Sequence, residues 1–194
     1  MKKFELTAEF VTNVFGKKLF RIKALVAFGN VEKGELGGFI EKEDNLSHDG
    51  DAWVSGNAQV SGNARVCGDA QVCGDARVCG NARVCGNAQV SGNAQVYGNA
   101  QVFGNAQVFG NADYAVVAGF GRYFRTTTFF RCKDKILRVQ CGCFYGDLAQ
   151  FREIVKKTHG DSKYAKEYLA IADLMELHFS DKCGGEQMND GKIY

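Results

Sequence analysis

A chain of 194 residues with 45% hydrophobic content is long enough to bury its own core, as one domain or two small ones. A formal charge of +2 is too close to neutral for a dedicated nucleic-acid binder. No run approaches the roughly 20 apolar residues of a membrane-spanning helix, and the N-terminus lacks the apolar stretch of a secretion signal, so a cytoplasmic location is expected. Cellular reductants keep thiols reduced there, and the eight cysteines read first as small buried or surface residues.

In chain order, the apolar runs "FELTAEFV" and "LFRIKALVAF" flank Asn13 to Lys18 and predict a β-hairpin. The hairpin is basic on balance, and acidic residues from Glu32 to Asp51 follow it. From Val54 onward valine recurs every sixth residue to Val108, with alanine at the fifth position of each unit from Ala58 to Ala112. A fixed period takes precedence over every other reading. Within a unit, alanine, a polar residue, valine and a variable residue alternate, which predicts a short strand with Ala and Val inside. The Gly-Asn or Gly-Asp pair that closes each unit tolerates positive φ and makes a tight corner. Strands this short are stable only if successive coils stack about 4.8 Å apart. Each fully buried valine contributes roughly 1.5–3 kcal/mol, so the column offsets much of the ordering entropy. The reading is a β-solenoid, whose open first edge the N-terminal hairpin would cap.

Beyond the repeat, "RYFRTTTFFR" and "ILRVQCGCF" predict a second hairpin around Cys132 to Lys135. A helix follows from Asp147, an N-cap with Gln150 three residues on, burying Leu148, Phe151 and Val155. A second helix from Asp161 or Ser162 carries Tyr164, Tyr168, Ile171, Met175 and His178 on one stripe. The last dozen residues, polar and glycine-containing, are expected to be loose.

The hexads resemble the hexapeptide repeat of left-handed β-helix proteins, in which three hexads close one triangular coil. That resemblance carries the three sides and the left hand, since parallel crossovers are otherwise right-handed. It implies a mainly β fold: a left-handed parallel β-helix over 36–119, an N-terminal hairpin cap over 1–35, and a hairpin with two helices over 120–194. The repeat register would extend upstream through Leu36, Ile40, Leu46 and Ala52, and downstream through Tyr114 and Ala118. The VxGNAx units, with "GELGGFIEKEDNLSHDGDAWV" before them and the tail "CGCFYGDLAQF" after, are also similar to phage or prophage proteins described as hexapeptide-repeat or polymer-forming. That group implies no activity.

With three hexads to a coil, outward residues three hexads apart stack in columns. Cys67 and Cys85 become neighbours at a Cα separation compatible with a disulfide, although a reducing compartment argues for free thiols. Arg65 and Arg83 stack beside them. Tyr97, Phe103 and Phe109 take one outward position on each side of the last coil. They are either an interaction surface or a seat for the C-terminal segment folded back over them. These three aromatics and two arginines are the candidate partner-binding residues. Cys132, Cys141, Cys143, His159, His178 and Cys183 lack any CxxC or finger spacing, so neither metal nor cofactor is expected. His178 reads as a packing residue on its helical stripe.

Many left-handed β-helix relatives are acyltransferases with a catalytic histidine and a loop projecting from the coils. Here residues 54–113 contain no insertion and no histidine, leaving His48 as the sole candidate general base. The expected function is therefore a non-catalytic scaffold that presents a rigid face to a protein partner or to another copy of itself. The phage resemblance implies a host factor or antiviral defence component as partner. The alternatives are an acyltransferase-like enzyme and, on Arg65, Arg77, Arg83 and the basic N-terminus, a nucleic-acid-binding module. Neither membrane association nor a small-molecule substrate is expected.

Overall fold

The computed structural model describes residues 1–180, and the tail expected to be loose lies outside them. The repeat winds into a three-sided parallel β-solenoid of about four turns. One side stacks β3 (Leu36–Ile40), β5 (Gln59–Val60), β8 (Arg77–Val78) and β11 (Gln95–Val96). A second stacks β6 (Arg65–Val66), β9 (Arg83–Val84) and β12 (Gln101–Val102), and the third β4 (Trp53–Val54), β7 (Gln71–Val72), β10 (Gln89–Val90) and β13 (Gln107–Val108). Each valine pairs with the valine three hexads on, Val54 with Val72 and Val72 with Val90. The ladder runs through backbone bonds such as Ser55 N to Val72 O and Cys73 N to Val90 O, both 2.9 Å. Every repeat valine from Val54 to Val108 and every alanine from Ala58 to Ala106 has no exposed surface, as the alternation predicts. At the corners Gly80 holds φ +73°, and a Cβ there would meet the Gly98 backbone nitrogen at 3.0 Å. Both the torsion and the stacking distance therefore require glycine.

The first coil departs from the expected register. Ile40 pairs with Val60 and Leu46 bridges Val66, each two positions more than three hexads away, so they fill valine slots and not the alanine slots. The offset returns to three hexads at Trp53–Gln71. Two extra residues are therefore absorbed in the corner around Ser47–Asp51. Lys3, 3% exposed, pins that corner: its Nζ donates to Gly50 O at 3.0 Å and Ala52 O at 2.8 Å, and lies over the Phe28 ring. Burial pushes the Lys3 ammonium down from its ordinary value, against the pull of Asp51, Asp49 and Asp69.

The N-terminal hairpin forms as expected from β1 (Phe4–Thr12) and β2 (Lys18–Ala24), and β2 pairs antiparallel with β3. It thus closes the first coil by continuing one side of the solenoid as a six-stranded sheet. Trp53 occupies the outward slot of its rung yet is buried, with Phe28 edge-on to it at 5.4 Å.

At the other end the expected hairpin is the middle of a four-stranded antiparallel meander: β14 (Tyr114–Phe120), β15 (Arg125–Arg131), β16 (Leu137–Cys141) and β17 (Phe144–Asp147). Tyr114 and Ala118 do not continue the coil. The 3-10 turn Asn111–Asp113 leaves Ala112 exposed, and the Asp113 carboxylate accepts the N–H groups of Phe109 and Gly110, turning the chain outward. Side chains then close the ladder. Asn111 Oδ1 accepts Gln95 N–H at 2.9 Å, the Tyr114 hydroxyl donates to Gln95 O, and Thr128 Oγ1 accepts Gln101 N–H at 3.0 Å. β15 is buried on both faces, with Phe130 in the solenoid core and Phe129 in the core beneath the helices, which explains its unbroken run "TTTFF".

Helix α1 (Leu148–His159) begins at Asp147 with the expected capping box and buries Leu148, Phe151 and Val155. Helix α2 (Lys163–Ser180) buries Ala165, Tyr168, Ile171, Ala172, Met175 and Phe179. The expected stripe is thus rotated by one residue at its ends: Tyr164 and His178 are exposed, and Phe179 packs in place of His178. The sheet, not the helix alone, decides which of two adjacent stripes turns inward. Arg152 ties the helices through Asp173 and Glu176, each at 2.7 Å.

Two outcomes follow. Gly80→Ala is expected to lower unfolding free energy by about 1–3 kcal/mol, read by denaturant unfolding of the single, buried Trp53. Burial pushes the Tyr114 hydroxyl up to about 12. A folded-state value above the unfolded one gives stability that is complete below pH 10 and lost as pH rises towards 12. Tyr114→Phe should cost about 1 kcal/mol at pH 7 and flatten that alkaline slope, measured by thermal melts from pH 8 to 11.5.

Candidate interaction surface

The solenoid places the five expected partner-binding residues on different sides. Arg65 and Arg83 sit on paired rungs of the second side, both exposed, and neither guanidinium bonds another described residue. They line a groove of about 480 Å³ with Cys67, Cys85, Ser47 and His48, and the same lining includes Glu43, Asp44 and Asp49. Glu43 is engaged by Lys2 at 2.6 Å. The groove therefore holds both signs of charge and has no net preference for an anion.

Cys67 and Cys85 form a disulfide with a Cα separation of 4.7 Å, correcting the expectation of free thiols in this column. One rung of parallel stacking is itself the spacing a disulfide needs, so the bond links adjacent coils without displacing the backbone. Cys73 and Cys79, in the other two columns, remain free. Burial pushes the Cys79 thiol up, with Arg77 opposing, so that side keeps a neutral thiol at pH 7.

Tyr97, Phe103 and Phe109 share one coil but belong to three different sides, and do not form a continuous patch. The C-terminal sheet closes the end of the valine column, through Phe130 and the Ala106–Cys132 bridge, and leaves Tyr97 and Phe109 uncovered. Tyr97 remains 60% and Phe109 52% exposed, and Phe103 is half-buried. Tyr97 lies edge-on to Tyr114 at 6.5 Å.

A second groove, about 410 Å³, escaped the sequence reading. It lies between the N-terminal hairpin tip and the first side, lined by Val14 and Phe15 of the tip and by Arg77, Cys79 and Tyr97 of the solenoid. The available signal was the pair Val14-Phe15 in a turn otherwise made of Asn13, Gly16, Lys17 and Lys18, where apolar residues have no core to enter.

His48 accepts the Lys3 backbone N–H at Nδ1, 3.2 Å away, and stacks on Phe4 at 4.3 Å. Its ring thereby joins β1 to the widened corner of the first coil. Cys132 is buried against the last coil, Cys143 is exposed and Cys183 lies outside the described residues. Among the described residues no three His, Cys, Asp or Glu side chains converge as a metal site.

The architecture defines a β-solenoid repeat protein, and comparison with known families agrees. A family model described as the YdcK beta solenoid repeat matches residues 58–74, 70–86, 76–92, 88–102 and 94–110. The matches stop at the edges of the repeat and leave both capping segments outside. No curated protein matches the sequence. No helix among the described residues is long and apolar enough to cross a membrane.

The disulfide joins cysteines at a sequence separation of 18. Replacing both cysteines by serine, the residue found at the equivalent positions 55, 61 and 91, should lower stability by about 3 kcal/mol. The native chain in excess reductant should show the same shift in guanidinium midpoint while keeping its β circular dichroism.

Proposed function

We propose that this chain is a non-catalytic protein-binding scaffold, phage or prophage encoded and working in the cytoplasm of a bacterial host. In the sharpest version its partner is a host factor of antiviral defence. The observation that carries the reading is the uninterrupted run of rungs from Trp53 to Val108, whose three flat sides offer rigid surface and no projecting loop. Rigid flat faces lose little conformational entropy on association, and aromatic and arginine side chains are the usual anchors on such faces. Tyr97, Phe109, Arg65 and Arg83 stand outward on this frame. The Cys67–Cys85 bond adds to a frame whose coils are already held by their ladder and valine column.

The phage and host assignment is supported by the resemblance of the VxGNAx units and their flanks. The non-catalytic assignment is supported by His48, the sole candidate base, whose Nδ1 is taken by a backbone N–H.

Capture from a bacterial host lysate, followed by reconstitution with the purified partner, tests the reading. A stoichiometric complex is expected, weakened at least tenfold by Tyr97→Ser combined with Arg65→Gln and Arg83→Gln. Recovery of the chain alone at stringent salt, or of nucleic acid released by moderate salt, would overturn it.

A further inference from the structure

We propose that the groove between the N-terminal hairpin tip and the first side of the solenoid binds a segment of a protein partner in which an apolar side chain adjoins a carboxylate. The inference rests on the scaffold reading and adds the partner's chemistry and its seat.

Three observations support it. First, the hairpin tip is held with its apolar residues outward. Val14 and Phe15 are 81% and 80% exposed. Yet Asn13 Oδ1 accepts both Phe15 N–H and Lys17 N–H at 3.0 Å, and the Asn13 backbone bonds Lys17 and Gly16 at 2.9 Å. Lys17 Nζ reaches Glu41 at 2.8 Å, and Glu41 in turn accepts Gly62 N–H at 2.6 Å, tying the tip to a solenoid corner. Second, the solenoid side of the lining includes the column Ser61, Cys79, Tyr97, so Phe15 and Tyr97 are two exposed aromatic rings lining one groove of about 410 Å³. A groove with aromatic walls takes an apolar anchor. Third, Arg77 is the single charged residue of the lining, and its guanidinium bonds no described residue. It stands between Gln59 and Gln95 on the neighbouring rungs, where only neutral amides flank it. With one cation and no acid the lining complements a carboxylate, whereas the groove at Arg65 and Arg83 is also lined by three acids.

An occupant laid across these rungs would place its apolar side chain between Phe15 and Tyr97 and its carboxylate on the Arg77 guanidinium. The Gln59 and Gln95 amides could then bond its backbone. Cys79, kept neutral, adds apolar lining.

The repeat supplies replacements that leave the coil intact: Arg77→Gln copies the adjacent rungs, and Tyr97→Ser copies Ser61 at the same column position. The test is calorimetric titration of the full chain with three capped hexapeptides: alternating glutamate and phenylalanine, alternating lysine and phenylalanine, and alternating glutamate and alanine. A decathymidylate is the fourth probe. Saturable 1:1 binding of the glutamate–phenylalanine peptide is expected, at least tenfold tighter than the other three. Arg77→Gln, Tyr97→Ser and Phe15→Ser should each weaken it at least fivefold with unchanged circular dichroism. Absence of binding, equal binding of the lysine peptide, tighter binding of the oligonucleotide, or indifference to all three substitutions would each overturn the assignment. A partner captured from lysate that binds native chain and Arg77→Gln equally would refute this seat while leaving the scaffold reading standing.

Discussion

The backbone ladder between successive coils, offset by three hexads, is the constraint on which the rest of the molecule depends. It forces every residue to stack on its counterpart one turn away. Valines and alanines therefore form a closed column with no exposed surface, and outward residues form columns whose chemistry adds up. Asn63 donates to Asn81 at 3.2 Å and Asn81 to Asn99 at 3.0 Å, so a corner becomes an amide ladder. Cys67 meets Cys85 and Arg65 meets Arg83 for the same reason, whether the result stabilises, as for the sulfurs, or repels, as for like charges a rung apart.

A stacked ladder has two open ends, and both flanks of the chain serve to close them. At the start, β2 pairs with β3 while Lys3 and His48 join β1 to the widened corner. At the finish the polar groups of Asn111, Tyr114 and Thr128 take up backbone groups that a further coil would have paired, and β15 covers the last valines. An exposed parallel edge templates aggregation, so these caps are conditions for a discrete molecule. They also shape the surface: the hairpin that closes the first coil is the wall of the groove over Arg77 and Tyr97.

The column, the corners, both hairpins and the Asp147 cap were legible because each follows from period, torsion or capping chemistry within a few residues of sequence. What was not legible depended on distant neighbours. The two extra residues near His48 are invisible to a six-residue period once the repeat has degenerated, and their place is set by Lys3, 45 residues upstream of His48. Tyr114 and Ala118 fit the hexad pattern, yet the Asp113 turn takes them into an antiparallel sheet. In α2 two stripes one residue apart have nearly equal apolar content, and the sheet beneath selects Phe179 over His178. The candidate site was half legible: the columns placed Tyr97, Arg65 and Arg83 outward, but nothing in the hexads indicates that Val14 and Phe15 arch over the first side.

The sides of this solenoid are made from one phrase repeated, and a uniform face discriminates poorly between partners. Recognition on such a frame must reside where the outward residue departs from the prevailing Gln, Ser or Cys. Apart from the buried Trp53, those departures are few: Arg65, Arg77 and Arg83 among the polar slots, and Tyr97, Phe103 and Phe109 among the variable ones. None of them belongs to the valine core, so returning one to the prevailing residue keeps the repeat's own valines, alanines and backbone ladder, with Tyr97 alone also losing its packing on Tyr114. In most folds a binding residue is also a packing residue and the two losses are confounded. Here the repeat separates them, so loss of a partner without loss of stability reports recognition directly.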